Sequence, residues 1–385
     1  MIDVARIPLA LYVHLPWCVR KCPYCDFNSH ALPSAGMPEG AYVQALLDDL
    51  EHASRDAAGR EIVSVFFGGG TPSLFSPVAI GAVLERARAL LGFAADVEVT
   101  LEANPGTVEH GRFEDYAAAG VNRVSLGAQS FDDDALRTLG RIHGAGDIEH
   151  AVREVRRAGI DNFNLDLMYA LPRQDLAGAL ADLERALDLG PTHVSHYQLT
   201  LEPDTPFAKR PPQGLPDDDL ALAMQEACQA RLAAAGYEQY EVSAYARPGR
   251  RCRHNLVYWH FDDYLGIGAG AHGKVSLPDR IERTVRVRHP AAYLGANTAS
   301  LRVAERRVVP PAELPFEFCL NTLRLPEGFD PAEFEARTGL GRSALGESTE
   351  RAAGRGLLET VDGRWRPTRQ GLRFLNDLQA LFLPG

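Results

Sequence analysis

The sequence predicts an α/β protein: a partial (β/α)6 barrel followed by a smaller, mainly helical, winged-helix-like domain. Three observations carry that expectation. Over the first two hundred or so residues, short apolar runs rich in β-branched residues alternate with helical patterns in six successive units, which is how a parallel sheet with outer helices reads. Each apolar run ends in Gly, Pro or polar residues. Beyond about residue 300 the character changes to short helices and one hairpin. Six units fall short of the eight that close a full barrel, so the barrel is expected to be open.

The strands are expected at 9–16 (LALYVHLP), 62–70 (IVSVFFGGG), 97–105 (VEVTLEANP), 123–130 (RVSLGAQS), 162–172 (NFNLDLMYALP) and 193–203 (HVSHYQLTLEP). Between them, AYVQALLDDLEHA, VAIGAVLERARALL, DIEHAVREVRRAG and DLAGALADLERALDLG repeat apolar residues at three- and four-residue spacing. Gly120, Gly159 and Gly190 stand where helices should stop. A Pro-rich stretch over 203–219 then breaks the rhythm. It is followed by the helix ALAMQEACQARLAAAG, the Tyr-rich YEQYEVSAYARPG and a Gly-rich loop over 266–274. We divide the chain into a barrel unit over 1–290, with 203–290 as its extension, and a C-terminal domain over 291–385. In that domain LLETVDGRWRPT reads as a hairpin turned at Asp362–Gly363. Two helices, the hairpin and a last helix resemble a winged helix, but no strongly basic recognition helix appears, so packing rather than nucleic-acid binding is expected.

Composition narrows the function. The 385 residues are 45% hydrophobic and 24% charged, which suits a globular chain. The formal net charge of −11 leaves no global positive field for nucleic acid or an anionic membrane surface. The start, MIDVARIPLALYVHLPWC, is interrupted by Arg6, Pro8, His14 and Pro16, so neither a signal segment nor a spanning helix is expected and a cytoplasmic location is. Six cysteines in a chain of this length do not form a disulfide framework. Cys228 and Cys319 lie in helical patterns and read as core.

The chemistry concentrates in Cys18-x3-Cys22-x2-Cys25, directly after the first strand. Three thiolates on one short loop suit a [4Fe–4S] cluster with one iron left open for an exogenous molecule. The alternative is zinc, with His14 or His30 completing a Cys3His tetrahedron. The strand ends add a second signal. Strand two ends in Gly68-Gly69-Gly70-Thr71-Pro72, where missing side chains let a ligand approach the backbone. The next strands end at Glu102, Gln129 and Asp166, and the sixth around Thr200 and Glu202. Polar residues on consecutive strand ends point to a bound polar ligand, although each one could merely cap the following helix. GGGTPS lacks the Lys and the spacing of a phosphate loop, and the neighbouring carboxylates favour a cation.

The cysteine spacing, with Tyr24 just before the last Cys, resembles the radical S-adenosylmethionine (SAM) superfamily. That resemblance implies a cluster on Cys18, Cys22 and Cys25 and SAM on its open iron. YVHLPWC, KCPYCDF, FFGGGTPS, LEANPGT, VSLGAQSF, LGRIH and LDLMYALP together resemble the oxygen-independent coproporphyrinogen III oxidase branch. By motif, Tyr12 and Tyr24 would line SAM, Gly69, Gly70 and Thr71 would hold its methionine end, and Glu102 would contact it. Gln129, Arg141 and Asp166 match positions that contact a second SAM in the oxidase, and His272 matches one that faces SAM. Two departures separate the chain from the oxidase: only about ten residues precede the first strand, and Phe27 replaces a further Cys. HNLVYW, from His254 to Trp259, is instead similar to the signature of the sister HemW group of haem chaperones.

That resemblance implies haem binding at His254, haem-accepting partner proteins and a low-potential electron donor. Imidazole is a common haem ligand, and Tyr258 and Trp259 offer flat apolar faces. Arg247, Arg250, Arg251 and Arg253 could pair with propionates, and Cys252 could offer a thiolate; a solvated basic loop is the plainer alternative. The expected function is haem delivery, with coproporphyrinogen oxidation, SAM-dependent methyl transfer and a zinc-bound binding module as rivals.

Overall fold

The computed structural model describes residues 1–107 and 112–384. The six expected strands are all present: β1 (Leu9–Leu15), β2 (Ile62–Gly69), β3 (Phe93–Ala103), β4 (Arg123–Gln129), β5 (Phe163–Tyr169) and β6 (His193–Gln198). They pair in parallel and in chain order. Their near-continuous burial, seen in β1 and β5, is what a parallel sheet covered on both faces demands. Helices α1 (Glu39–Ala53), α2 (Pro77–Leu91), α3 (Arg112–Ala119), α4 (Ala145–Arg157), α5 (Leu176–Asp188) and α6 (Asp218–Ala234) supply the covering layer. Leu46, Leu50, Ile80, Val83, Ile148 and Leu183 join the strand residues in one core.

The barrel stays open because further strands extend both edges into a twelve-stranded sheet. Beyond β6 lie β7 (Glu238–Glu241) and β8 (Ala244–Ala246), both antiparallel. Beyond β1 lie β9 (Asp263–Ile267), parallel to β1, and then antiparallel β10 (His272–Ser276), β11 (Ile281–Arg286) and β12 (Val303–Val308). A short helix, α7 (Arg253–Trp259), carries the HNLVYW segment and packs on β1, β2 and β9.

The stretch 266–274, read from sequence as a Gly-rich loop, therefore contains the end of β9 and the start of β10. Its glycines are what permit this. A Cβ on Gly266 would run into the His272 carbonyl, and one on Gly273 would meet the Thr284 hydroxyl at 2.6 Å. Strand six also stops at Gln198 rather than 203, because Thr205 caps a helical turn over Pro206–Lys209 that takes the chain off the sheet. Under β9, Asp263 is buried between Arg60 and Lys274, each at 2.8 Å.

The C-terminal part has its own core of Phe318, Phe329, Phe334, Leu345 and Leu378, joined by Ile2, Val4 and Ile7 from the chain's start. It comprises α8 (Leu314–Thr322), α9 (Pro331–Thr338), α10 (Gly346–Gly354), the hairpin β13 (Leu358–Val361) and β14 (Arg364–Pro367), and α11 (Leu375–Ala380). Asp362 and Gly363 both have positive φ, 50° and 79°, as a two-residue type I′ turn requires. The main sheet itself runs on to Val308, past residue 290.

Candidate functional site

The C-terminal ends of β1–β6 surround a cavity of about 650 Å³. It is lined by Cys18, Cys22, Cys25, Tyr24, Gly69, Gly70, Thr71, Glu102, Gln129, Arg141 and Asp166, so eleven residues singled out from sequence meet at one place. Tyr12 lines an adjoining cavity of about 500 Å³, which shares Phe27, Gly69 and Glu102 with the first. His254 lines neither.

The cysteine loop is fixed by backbone. Gly70 N–H donates to Leu15 O and Thr71 N–H to Trp17 O, both at 2.8 Å. Gly70 has to be glycine, since a Cβ there would stand 2.5 Å from Trp17 O. All three thiols are free and half-buried, and the Arg141 guanidinium donates to Cys22 Sγ at 3.7 Å. Burial raises the Cys18 and Cys25 thiols, with the Thr71 and Ser29 hydroxyls respectively pulling the other way. Metal ligation would therefore release protons. Among the described residues no three His, Cys, Asp or Glu side chains converge as ligands of a single ion. His14 is also committed at both ring nitrogens, Nε2–H donating to Asn28 O at 3.0 Å and Nδ1 accepting from Tyr12 OH at 3.0 Å. The donor set, three thiols spread round one cavity, fits a multi-iron cluster better than the Cys3His alternative.

The same cavity carries two carboxyls, Glu102 and Asp166. Burial pushes Glu102 up to about 8, with the Asp166 charge adding to the shift and the Gly69 N–H at 3.1 Å opposing it. Asp166 is also raised by burial, against hydrogen bonds from Asn164 (2.7 Å) and Ser125 (3.3 Å). Two buried carboxyls in one cavity are a receptor for positive charge, which SAM carries on its sulfonium and ammonium groups. Gln129 sits at a register shift in the β4–β5 ladder with φ 69°, a bulge that re-aims its side chain. Its Oε1 accepts from Tyr197 OH at 2.6 Å.

Tyr197, Asn104 and Arg324 line the cavity too and were not expected from sequence. Asn104, two residues past Glu102 and so on the same face, donates to Thr71 Oγ1 at 2.9 Å. Its spacing could have revealed it; Tyr197 and Arg324 carried no such signal. Arg324 follows α8, lies 4.3 Å over the Trp259 ring and pairs with Glu241 at 2.9 Å, so the C-terminal part contributes to the mouth.

The HNLVYW segment is an inner support. His254 is 2% exposed. Its Nδ1 is 3.1 Å from Ser64 Oγ, its Nε2 is 2.9 Å from Tyr258 OH, and its ring stacks on Phe66. Burial, then the Arg123 charge, lowers it to about 3, so it is neutral. Cys252 is buried as well, pushed up to about 12 by burial, and its thiol donates to Glu98 at 3.5 Å; it is no thiolate. Arg253 is held by Asp96, and Arg251 by Glu238 and Glu327.

Comparison with known proteins shows the family. The sequence profile of the Radical SAM superfamily matches residues 12–205, and that of the HemN C-terminal domain matches residues 309–374. The chain is 50% identical to "Heme chaperone HemW" of Escherichia coli (strain K12) over 377 residues, covering 98% of each chain. It is 48% identical to the protein of that name in Haemophilus influenzae, again over 98% of both. Among solved structures, the coproporphyrinogen III oxidase HemN of Escherichia coli superposes with a TM-score of 0.82, covering 98% of this chain and 90% of that one; at 22% identity this speaks for the fold. No helix among the described residues is long and apolar enough to cross a membrane. The chain belongs to the radical SAM superfamily and, within it, to the HemW family.

Proposed function

We propose that this protein is a haem chaperone of the radical SAM class, holding one [4Fe–4S] cluster, SAM and haem, and passing haem to acceptor proteins. The observation that carries the reading is the match to proteins named as haem chaperones over nearly the whole length of both chains. In this reading Cys18, Cys22 and Cys25 hold the cluster. Gly69, Gly70 and Thr71 receive the methionine end of SAM, where the glycines leave backbone accessible. Glu102 and Asp166 balance its positive charge, while Tyr12 and Tyr24 give it apolar walls. Arg141 and Gln129 line the same cavity, Arg141 bridging Cys22 and Asn104. When bound, the cluster and SAM supply one-electron reductive chemistry, which needs a low-potential electron donor as partner. Free thiols of this kind suit a reducing compartment such as the cytoplasm.

The test is haem titration of oxygen-free, cluster-reconstituted protein, paired with incubation in SAM, reductant and coproporphyrinogen III. Stable haem uptake without protoporphyrinogen formation supports the chaperone reading. Turnover of coproporphyrinogen to protoporphyrinogen would replace it with the oxidase.

A further inference from the structure

Asp166, in the cavity at the strand ends, terminates a chain of hydrogen bonds that runs away from it into the protein interior. Asn164 and Asp166 stand two residues apart on β5 and so share one face of the strand. Asn164 Nδ2 lies 2.7 Å from Asp166 Oδ1 and 2.8 Å from Ser125 Oγ. On the neighbouring β6, His193 is the register partner of Asn164, and its Nδ1 lies 2.7 Å from Asn164 Oδ1. The other ring nitrogen, Nε2, lies 2.8 Å from Tyr240 OH on β7. Tyr240 in turn meets the HNLVYW segment: the Cys252 N–H and Asn255 Nδ2 each donate to its oxygen at 3.4 Å. Asn164, His193 and Tyr240 line neither of the two cavities, and His193 and Tyr240 are fully buried.

Such a chain can run in either of two directions, and its ends choose between them. The Cys252 backbone N–H can only donate, and an ionised carboxylate can only accept. Asn164 therefore presents its NH2 to Asp166 and its carbonyl oxygen to His193. His193 is neutral, because burial and then the Arg123 charge lower it well below the usual imidazole range, and so it carries one ring proton. That proton sits on Nδ1, facing the Asn164 carbonyl, which leaves Nε2 to accept the Tyr240 proton. The Ser195 hydroxyl gives Asn164 Oδ1 a second donor at 3.2 Å. The opposite tautomer would turn the Asn164 carbonyl oxygen toward the Asp166 anion, where two acceptors repel. Burial works against the Asp166 charge, and the Asn164 hydrogen bond is the largest effect working for it.

We propose that His193 is a positioning residue for SAM: with its tautomer fixed by Tyr240, it orients the Asn164 amide so that Asp166 faces the cavity as a hydrogen-bond acceptor for the positively charged ligand. This rests on the reading of the cavity as the SAM site. His193 acts only through Asn164, and Asn255 of the HNLVYW segment acts on the cavity although it lines neither space.

The test is calorimetric titration of SAM into anaerobically reconstituted wild type, His193→Leu, His193→Asn, Asp166→Asn and the Asp166→Asn/His193→Leu double variant, with iron content and urea midpoint measured on each. Both His193 variants break the Tyr240 contact and should lower the urea midpoint. Only His193→Leu removes the donor to Asn164, because an asparagine places its NH2 where the imidazole Nδ1 stood. We expect His193→Leu to bind SAM roughly tenfold more weakly and His193→Asn to stay within about threefold of wild type, a hydrogen bond to a charged group being the difference. In the Asp166→Asn background His193→Leu should weaken SAM no further, since the two residues act through one contact. If His193→Leu does not fold, Tyr240→Phe takes its place: it deletes only the hydroxyl that fixes the tautomer, and should weaken SAM with iron content intact. Wild type that binds no SAM fails the reading of the cavity itself. Wild type that binds SAM while His193→Leu or its substitute matches it, while His193→Asn is as weak as His193→Leu, or while the double variant loses the full His193→Leu factor again, overturns the positioning role and leaves that reading standing.

Discussion

Replacing Gly70 with Ala tests how the cluster loop is held. The added Cβ would stand 2.5 Å from Trp17 O and 2.8 Å from the Pro16 and Trp17 carbonyl carbons. Carbon and carbonyl oxygen normally meet at about 3.3 Å, so roughly 0.8 Å must be found. Every one of these neighbours is backbone, so no side chain can swing away. Trp17 O also accepts the Thr71 N–H, and Gly70 N–H is bound to Leu15 O. Overpacking of this kind costs about 1–3 kcal/mol, and losing one of the two hydrogen bonds adds about 1 kcal/mol. We therefore expect Gly70→Ala to lose about 2–4 kcal/mol and, because Cys18 follows Trp17 directly, to take up less iron. Gly81→Ala is the control. Gly81 lies inside α2, where a Cβ would meet only the Ala119 methyl at 3.6 Å. There the change should stabilise by about 0.5–1 kcal/mol. Urea unfolding and iron per chain after anaerobic reconstitution measure both. A Gly70→Ala protein with wild-type midpoint and full iron would refute the packing argument.

Three further outcomes follow from the same structure. Cys18→Ser, Cys22→Ser and Cys25→Ser should each abolish most iron uptake, whereas Cys228→Ala and Cys319→Ala, both in packed cores, should keep iron and lose stability in urea melts. The Glu102 carboxyl, at about 8, is mostly protonated at pH 7. SAM must pay to ionise it, so affinity should rise about tenfold between pH 7 and pH 9. Calorimetric titration across that range, with Glu102→Gln as the pH-flattened reference, checks this. Asp263→Asn should cost about 3–5 kcal/mol by stranding Lys274 and Arg60. Burial alone would raise Asp263, but Lys274 and Arg60 outweigh it and hold the carboxyl below its usual range. Its contribution is therefore present above the ordinary carboxylate pKa and lost as pH falls through the lower folded value, so wild-type and variant urea midpoints should converge in acid.

The sequence showed most of the cavity at the strand ends because parallel strands deliver their functional groups at one end. A polar residue closing an apolar run, as at Glu102, Gln129 and Asp166, is readable without a structure. Gly69–Thr71 and the three cysteines declared themselves through spacing. What stayed hidden arises from distant chain segments. Arg324 reaches the mouth by packing on Trp259, and no local pattern marks it. The β9–β10 pair was concealed because its glycines, required for close backbone approach, look like a loop. His254 carried a motif but not a location: its burial between Ser64, Phe66 and Tyr258 depends on strands roughly two hundred residues earlier.

The measurement that bears most directly on the account is spectroscopy of the anaerobically reconstituted protein before and after SAM addition. We predict four irons per chain, held by the three cysteine thiolates, with an electron paramagnetic resonance signal of the reduced cluster that changes when SAM binds. A cluster indifferent to SAM, or iron retained after all three cysteines are replaced, would contradict the account.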